Sequence, residues 1–281
     1  LMKSNPKTIQ IFLPDGNARS IRIAEITSRT VQAIQIPRSK IGEASLRNEI
    51  KNVGLYFLFG INESNGQPLA YIGEAENCYK RIKQHNRKKG FWDNAVGITS
   101  KTNSFTKAHV KYLEWYCHEQ AILINRFLID NSSIPTKPFI SEQMEADLMD
   151  NYETIKILLS SLGFPILENI IVKTKPSEML YCKGRGVEAK GQYTDDGFLI
   201  FKGSECHPKF VPSANKFVKN ARQRVLDAKV IEIKNGVYVF IKDYLFSSPS
   251  TAAATVLGRS TNGWTRWKDS KGKTLDSLKR K

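Results

Sequence analysis

The run Gly54-Leu55-Tyr56-Phe57-Leu58-Phe59-Gly60 is apolar at every position between its two glycines. However its side chains alternate, both faces must be covered. Leu55, Phe57 and Phe59 would fill one side and Tyr56 and Leu58 the other, the pattern of a strand in the middle of a covered sheet. Turn-forming residues fill positions 62–68, and Leu69-Ala70-Tyr71-Ile72-Gly73 resumes as the return strand of a β-hairpin.

The flanking segments set the fold class. Residues 8–13, 19–24 and 30–36 alternate as short strands, the first two around the turn Pro14-Asp15-Gly16-Asn17. From Glu74 to His85 the pattern is helical, and Ala95 to Thr99 forms another strand. Ser104 is expected to cap a long helix reaching about Asp130, with Val110, Leu113, Cys117, Ala121, Ile124 and Leu128 as its core stripe. A second long helix is expected from Ser141 to Leu162, stopped by Gly163. This predicts an α+β domain over residues 1–165, with a small antiparallel sheet flanked by helices. A linker over 166–178 and a smaller α+β module over 179–281 follow. In that module the periodicity gives strands at 197–203, 230–233 and 237–241, a basic helix near 215–228 and a helix over 251–257.

Charge narrows the partners. The chain holds 43 Lys+Arg against 27 Asp+Glu, a net of +16, which points to polyanions and first to nucleic acid. The excess is uneven: residues 1–178 carry a net of +5 and residues 179–281 a net of +11. No apolar run reaches the roughly 18 residues of a membrane span, and the N-terminal stretch lacks a signal-peptide core. The four cysteines show no metal-type spacing, so we read them as reduced thiols of a cytoplasmic protein.

Gly54-Leu55-Tyr56 and Tyr71-Ile72-Gly73 lie on adjacent strands of one hairpin, so two tyrosines can sit close together. Arg81 and His85 share one face of the next helix, and Glu114 stands on the long helix beside the core residue Leu113. Taken singly these are a core tyrosine pair, a solvated arginine and a surface glutamate. In this order they resemble the GIY-YIG nuclease family over roughly residues 50–130, with a looser likeness back to about residue 8. The departures are Leu55 in place of Ile and a longer hairpin loop. The resemblance implies Tyr56, Tyr71, Arg81, His85 and Glu114 as catalytic residues, Glu114 as the ligand of Mg²⁺ (or Mn²⁺), and Asn125 as a supporting residue. It implies hydrolysis of DNA phosphodiester bonds, with double-stranded DNA as partner, restriction or defence as the setting, and a homodimer as one route to a double-strand cut.

The chemistry suits these residue types. One carboxylate can hold a Mg²⁺ that keeps most of its waters, and a guanidinium can offer two donors to phosphate oxygens. A phenol titrates near ~10, so Tyr56 as base would need help from Arg81, His85 or the metal. For DNA contact we expect Lys83, Arg87, Lys88 and Lys89 on the first helix and Lys216, Lys219, Arg222 and Arg224 on the basic helix. Lys183, Arg185 and Lys190, in a Gly-rich stretch, could cradle phosphate or be a solvated loop. Residues 246–268, with Phe246, Val256-Leu257-Gly258-Arg259, Asn262-Gly263-Trp264 and Trp267-Lys268, resemble a small module of unknown function that accompanies nucleases. Trp264 and Trp267 can serve there as base-stacking residues or as the module's core. Two rival readings stay open: a DNA-binding protein that keeps the fold without cutting, and an RNA nuclease.

Overall fold

The computed structural model describes residues 6–62, 66–169 and 178–280, and the chain divides into two units, Leu1–Glu168 and Asn169–Lys281. In the first, strands β1 (Ile9–Phe12), β2 (Arg22–Ile26), β3 (Val31–Pro37), β4 (Gly54–Ile61), β5 (Pro68–Ala75), β6 (Trp92–Ser100) and β7 (Leu128–Ile129) form one seven-stranded sheet. Its order is β1-β2-β3-β6-β4-β5-β7, antiparallel except for the parallel β5–β7 edge pair. β4 is interior, between β5 and β6, as its two-sided apolar pattern requires.

Each face of β4 meets helices. Leu55, Phe57 and Phe59 join a core built with helices α2 (Lys107–Ile124) and α3 (Glu142–Ser161), through Val110, Leu113, Cys117, Ile155 and Leu159. Tyr56 and Leu58 face helix α1 (Cys78–Lys88), packing with Ile50, Cys78, Ile82 and Trp92. Fully burying one such large apolar side chain stabilises by about 1.5–3 kcal/mol, so both faces contribute to holding the hairpin.

Helix α2 differs from its expected form at both ends. Thr106 rather than Ser104 is the N-cap, in a capping box with His109. The helix stops at Ile124 because Asn125 adopts the left-handed conformation (φ 56°). Leu128 therefore belongs to β7, and Asn125 serves as the helix C-cap. The helical segment expected from Glu74 begins only at Cys78, capped by Asn77, because Glu74 and Ala75 pair with Leu55 and Gly54. The first unit also runs past residue 165. Ile166 and Leu167, expected in the linker, are buried in its core, and Phe164 stacks on Phe59 at 4.2 Å. Of the expected linker, residues 170–177 lie outside the described residues.

In the second unit β8 (Leu180–Gly184), β9 (Val187–Thr194), β10 (Gly197–Ile200) and β14 (Tyr244–Phe246) make a four-stranded sheet of order β14-β10-β9-β8. β11 (Glu205–Cys206), β12 (Ile231–Lys234) and β13 (Val237–Phe240) make a three-stranded one. The stretch read as a Gly-rich loop is thus the β8–β9 hairpin. Helix α4 is Lys216–Asp227, capped by Asn215. Helix α5 (Pro249–Leu257) is buried at every residue except Ser250, and its row of alanines lets neighbours approach from all sides. A buried helix end needs partners for its last carbonyls. Arg222 donates to Thr255 O, Arg185 to Leu257 O at 2.6 Å, and His207 N–H to Val256 O at 2.8 Å. Gly258 then turns the chain at φ 63° with its Cβ position 2.8 Å from Lys209 O, so a side chain fits neither the backbone nor the space.

Candidate active site

Antiparallel register puts Tyr56 opposite Gly73 and Tyr71 opposite Leu58, all on the α1 side of the sheet. The Tyr56 ring lies across Gly73: a Cβ there would stand 2.3 Å from the Tyr56 hydroxyl oxygen. The motif glycine is therefore a space requirement of the motif tyrosine. The two tyrosine rings stack with centroids 6.0 Å apart, and the side chains that meet their hydroxyl ends are polar.

His85, one turn after Arg81 on α1, reaches down to the pair. Its Nε2 is 2.9 Å from the Tyr56 hydroxyl, and its ring is 4.9 Å from that of Tyr71. His85 is 7 % exposed, and its Nδ1 is buried without a hydrogen-bond partner among the described residues. Burial, then the charges of Arg81, Lys89 and Lys88, push its pKa down to about 4, so the ring is neutral near pH 7. Tyr56, 1 % exposed, is held well above the usual phenol range by burial and by Tyr71, with the Arg81 guanidinium working against that rise. Arg81 is exposed at the rim and donates to Gln84 Oε1 at 3.1 Å.

Glu114 comes from the helix on the opposite face and meets the site around the sheet edge. The outward main-chain groups of β5 recur every second residue. At Ala70 they meet β7 and Asp130 N–H. At Ile72 they meet the Asn131 amide, which accepts from Ile72 N–H at 3.1 Å and donates to Ile72 O at 2.7 Å. At Glu74 the main-chain N–H turns to Glu114. Burial and the Glu74 carboxylate lift Glu114 to about 7, opposed by that N–H and by Lys107 and Lys111. Glu74 is itself paired with Lys107 at 2.8 Å. Glu74, Asn77, Lys80, Arg81, Gln84 and Lys107 line one open depression of about 480 Å³, so Glu74, the neighbour of Glu114, shares it with Arg81.

Of the residues expected to act together, Tyr56, Tyr71, His85 and Arg81 fall into one cluster, while Glu114 lies at the β5 edge against Glu74. Glu74 and Lys107 were missed by sequence reasoning. Reading Glu74 as the start of a helix removed it from the strand, and its position next to Gly73 was the signal that could have found it. Asn125 forms the C-cap of α2, and the amide bonded to the β5 main chain is that of Asn131.

The expected phosphate contacts separate into two groups. Lys83, Arg87 and Lys88 are exposed and, with Lys80 and Gln84, line a shallow depression of about 310 Å³ on α1. Lys216 and Lys219 are exposed on α4, with Arg224 half-buried beside them. Lys89 is engaged: it pairs with Asp130 at 2.6 Å and lies 4.6 Å over the Tyr71 ring. Arg222, 2 % exposed, is internal, donating to Thr255 O and to His207 O at 3.0 Å. Arg185 is likewise taken up by Lys209 O and Leu257 O. Trp267 is fully buried against Phe198 with its Nε1–H donated to Pro249 O at 3.0 Å, the core role rather than base stacking. The four cysteines are free and buried, and burial pushes the thiols of Cys182 and Cys206 up to about 12.

Residues 180–279 match the family model described as a domain of unknown function (DUF4357). No curated protein and no solved structure matches the chain at a significant level. Among the described residues no helix is long and apolar enough to cross a membrane, and no group of three or more His, Cys, Asp or Glu is placed to hold a metal ion.

Proposed function

We propose that the first unit is a divalent-metal-dependent endonuclease of the GIY-YIG type that hydrolyses DNA phosphodiester bonds. The observation that carries this reading is the cluster of Tyr56, Tyr71, His85 and Arg81 on one sheet face, two tyrosines and a neutral imidazole under an exposed guanidinium.

The donor set fits a hydrated Mg²⁺ or Mn²⁺. Glu114 is a half-buried carboxylate whose charge is disfavoured by burial and by Glu74, and a divalent cation would relieve that cost, with water and phosphate oxygens completing a shell that so few protein ligands cannot. When bound, the metal would neutralise phosphate charge and make a bound water more acidic.

The remaining roles belong to the chain. Arg81, at the rim, is placed to donate to the non-bridging phosphate oxygens. Tyr56 cannot serve as base alone, since its phenol is held protonated at neutral pH. With its proton donated to His85 Nε2, its oxygen can accept the proton of an attacking water while His85 takes the phenol proton. Lys89 over the Tyr71 ring fixes that tyrosine against the cluster. Lys83, Arg87 and Lys88 would grip the flanking backbone.

Incubation of supercoiled plasmid with Mg²⁺, with EDTA, and with Glu114→Ala protein tests the reading. The expected result is nicking that disappears with EDTA and in the variant while DNA binding persists. Intact plasmid at saturating binding, across several DNAs and an RNA, would sink it and leave a binding protein on this fold.

A further inference from the structure

In the second unit β8 is bordered on both sides. β9 pairs with one edge, and the main chain of Lys268 docks on the other, with Tyr181 N–H donating to Lys268 O at 2.7 Å and Lys268 N–H to Tyr181 O at 3.0 Å. Residues directly opposite in antiparallel pairs share a face. Lys190, Tyr181 and Lys268 therefore line up across one side of the sheet, and Lys183, two residues from Tyr181, joins them. The alternate residues Leu180, Cys182 and Ala189 are buried in the core, so this is the outer face. Tyr181 is half-buried there, and Lys183, Lys190 and Lys268 are exposed.

Next to this row the chain leaves a concavity of about 450 Å³ lined by Tyr181, Lys183, Arg266, Lys268 and the turn after it, a volume in the range of small-ligand sites. Its acidic residue, Asp269, is used by its own turn, accepting from Lys271 and Lys273 N–H at 2.9 and 2.8 Å. Lys183 leans over the Tyr181 ring and pairs with Glu188 at 3.0 Å. Lys190, Arg266 and Lys268 have no carboxylate partner among the described residues.

We propose that this face binds single-stranded nucleic acid, with an unstacked base against Tyr181 and backbone phosphates on Lys190, Arg266 and Lys268. The cations call for a polyanion, and the aromatic floor of a concavity calls for a flat apolar face to cover it. A single strand offers both in one repeating unit. A duplex keeps its base faces stacked, and an acidic peptide would meet the cations while leaving the ring in water. This face would bind in the same way whether or not the first unit is a hydrolase.

The test is fluorescence anisotropy of fluorescein-labelled dT12 with the full chain in EDTA, so that no cleavage intervenes. Tyr181→Ala should weaken binding about tenfold, in line with the loss of one base–aromatic stack, and Tyr181→Phe should bind as the unsubstituted chain does. Lys190→Gln and Lys268→Gln, at exposed positions that leave folding intact, should each lower the slope of log K against log salt by about 0.7. Unchanged affinity in Tyr181→Ala, unchanged slopes in the lysine variants, or displacement of dT12 by poly-glutamate more effectively than by unlabelled dT12 would each overturn it.

Discussion

Gly73 shows how closely one residue's chemistry depends on another's absence of side chain. Because a Cβ there would meet the Tyr56 hydroxyl at 2.3 Å, Gly73→Ala should push Tyr56 off His85. We expect a stability loss of about 1–3 kcal/mol by thermal melt and a fall in plasmid nicking of about 10²-fold or more. Retention of activity would detach the Tyr56–His85 hydrogen bond from catalysis. Tyr56→Phe should lose activity similarly and also lower stability by about 1–3 kcal/mol, since it leaves the buried His85 Nε2 without its partner. His85 gives a pH dependence whose sign follows from its folded value of about 4 against 6.5 in the open chain. Between those values the unfolded chain binds a proton that the folded chain refuses. This contribution to stability is therefore full above about pH 6.5 and is lost as pH falls toward 4, by on the order of 3 kcal/mol. His85→Gln should flatten that part of the stability–pH curve, and an unaltered slope would place the acid sensitivity elsewhere.

At the scale of elements, α5 is the test of the second unit. It is a short helix buried all round, and its end is satisfied by two arginines drawn from elsewhere in the unit. Arg222→Met keeps the aliphatic stem but leaves carbonyls unanswered, and should cost about 2–4 kcal/mol in denaturant unfolding. Lys219→Gln, on the exposed side of the same α4, should stay within about 0.5 kcal/mol. Equal effects would show that the buried guanidinium adds nothing. This contrast also marks what was legible in the sequence. The apolar hairpin of β4 and β5 and the helices with polar caps at Asn215, Ser141 and Ser248 follow from local pattern and local chemistry, whereas the site residues were singled out by the family resemblance. Which basic residue of α4 turns inward does not, because that depends on a carbonyl supplied by a helix some thirty residues later. β7 was illegible for a related reason: two residues make a strand only by having β5 beside them, and Leu128 continued the apolar period of α2 until Asn125 broke the backbone. The β8–β9 hairpin was hidden by glycines and lysines, since one face of it is solvent-exposed and basic. At the site, the closeness of the tyrosines and the shared face of the α1 pair were readable from spacing, whereas Glu74 was concealed by assigning it to the wrong element.

For the whole molecule, formal charge overstates what a polyanion can reach. Arg185, Arg222 and Lys89 are committed to internal carbonyls, rings or a carboxylate, and Arg38 donates to Gly90 O, Trp92 O and Asn86. The salt dependence of duplex binding should therefore reflect exposed clusters rather than the net of +16. Replacing Lys83, Arg87 and Lys88 by Gln should reduce the slope by about 0.9 for every phosphate that is no longer neutralised, and a slope indifferent to all three would move the duplex to another surface. The row of groups along β5 bears on assembly in a different way. An open strand edge is an invitation to any other extended chain, and a site-bearing strand at such an edge would be exposed to intermolecular zipping. Here the Asn131 amide stands in for the missing neighbour at Ile72, so a second copy cannot extend the sheet through that position. Two copies acting on opposite strands of one duplex would therefore have to associate otherwise than by pairing their β5 edges at Ile72.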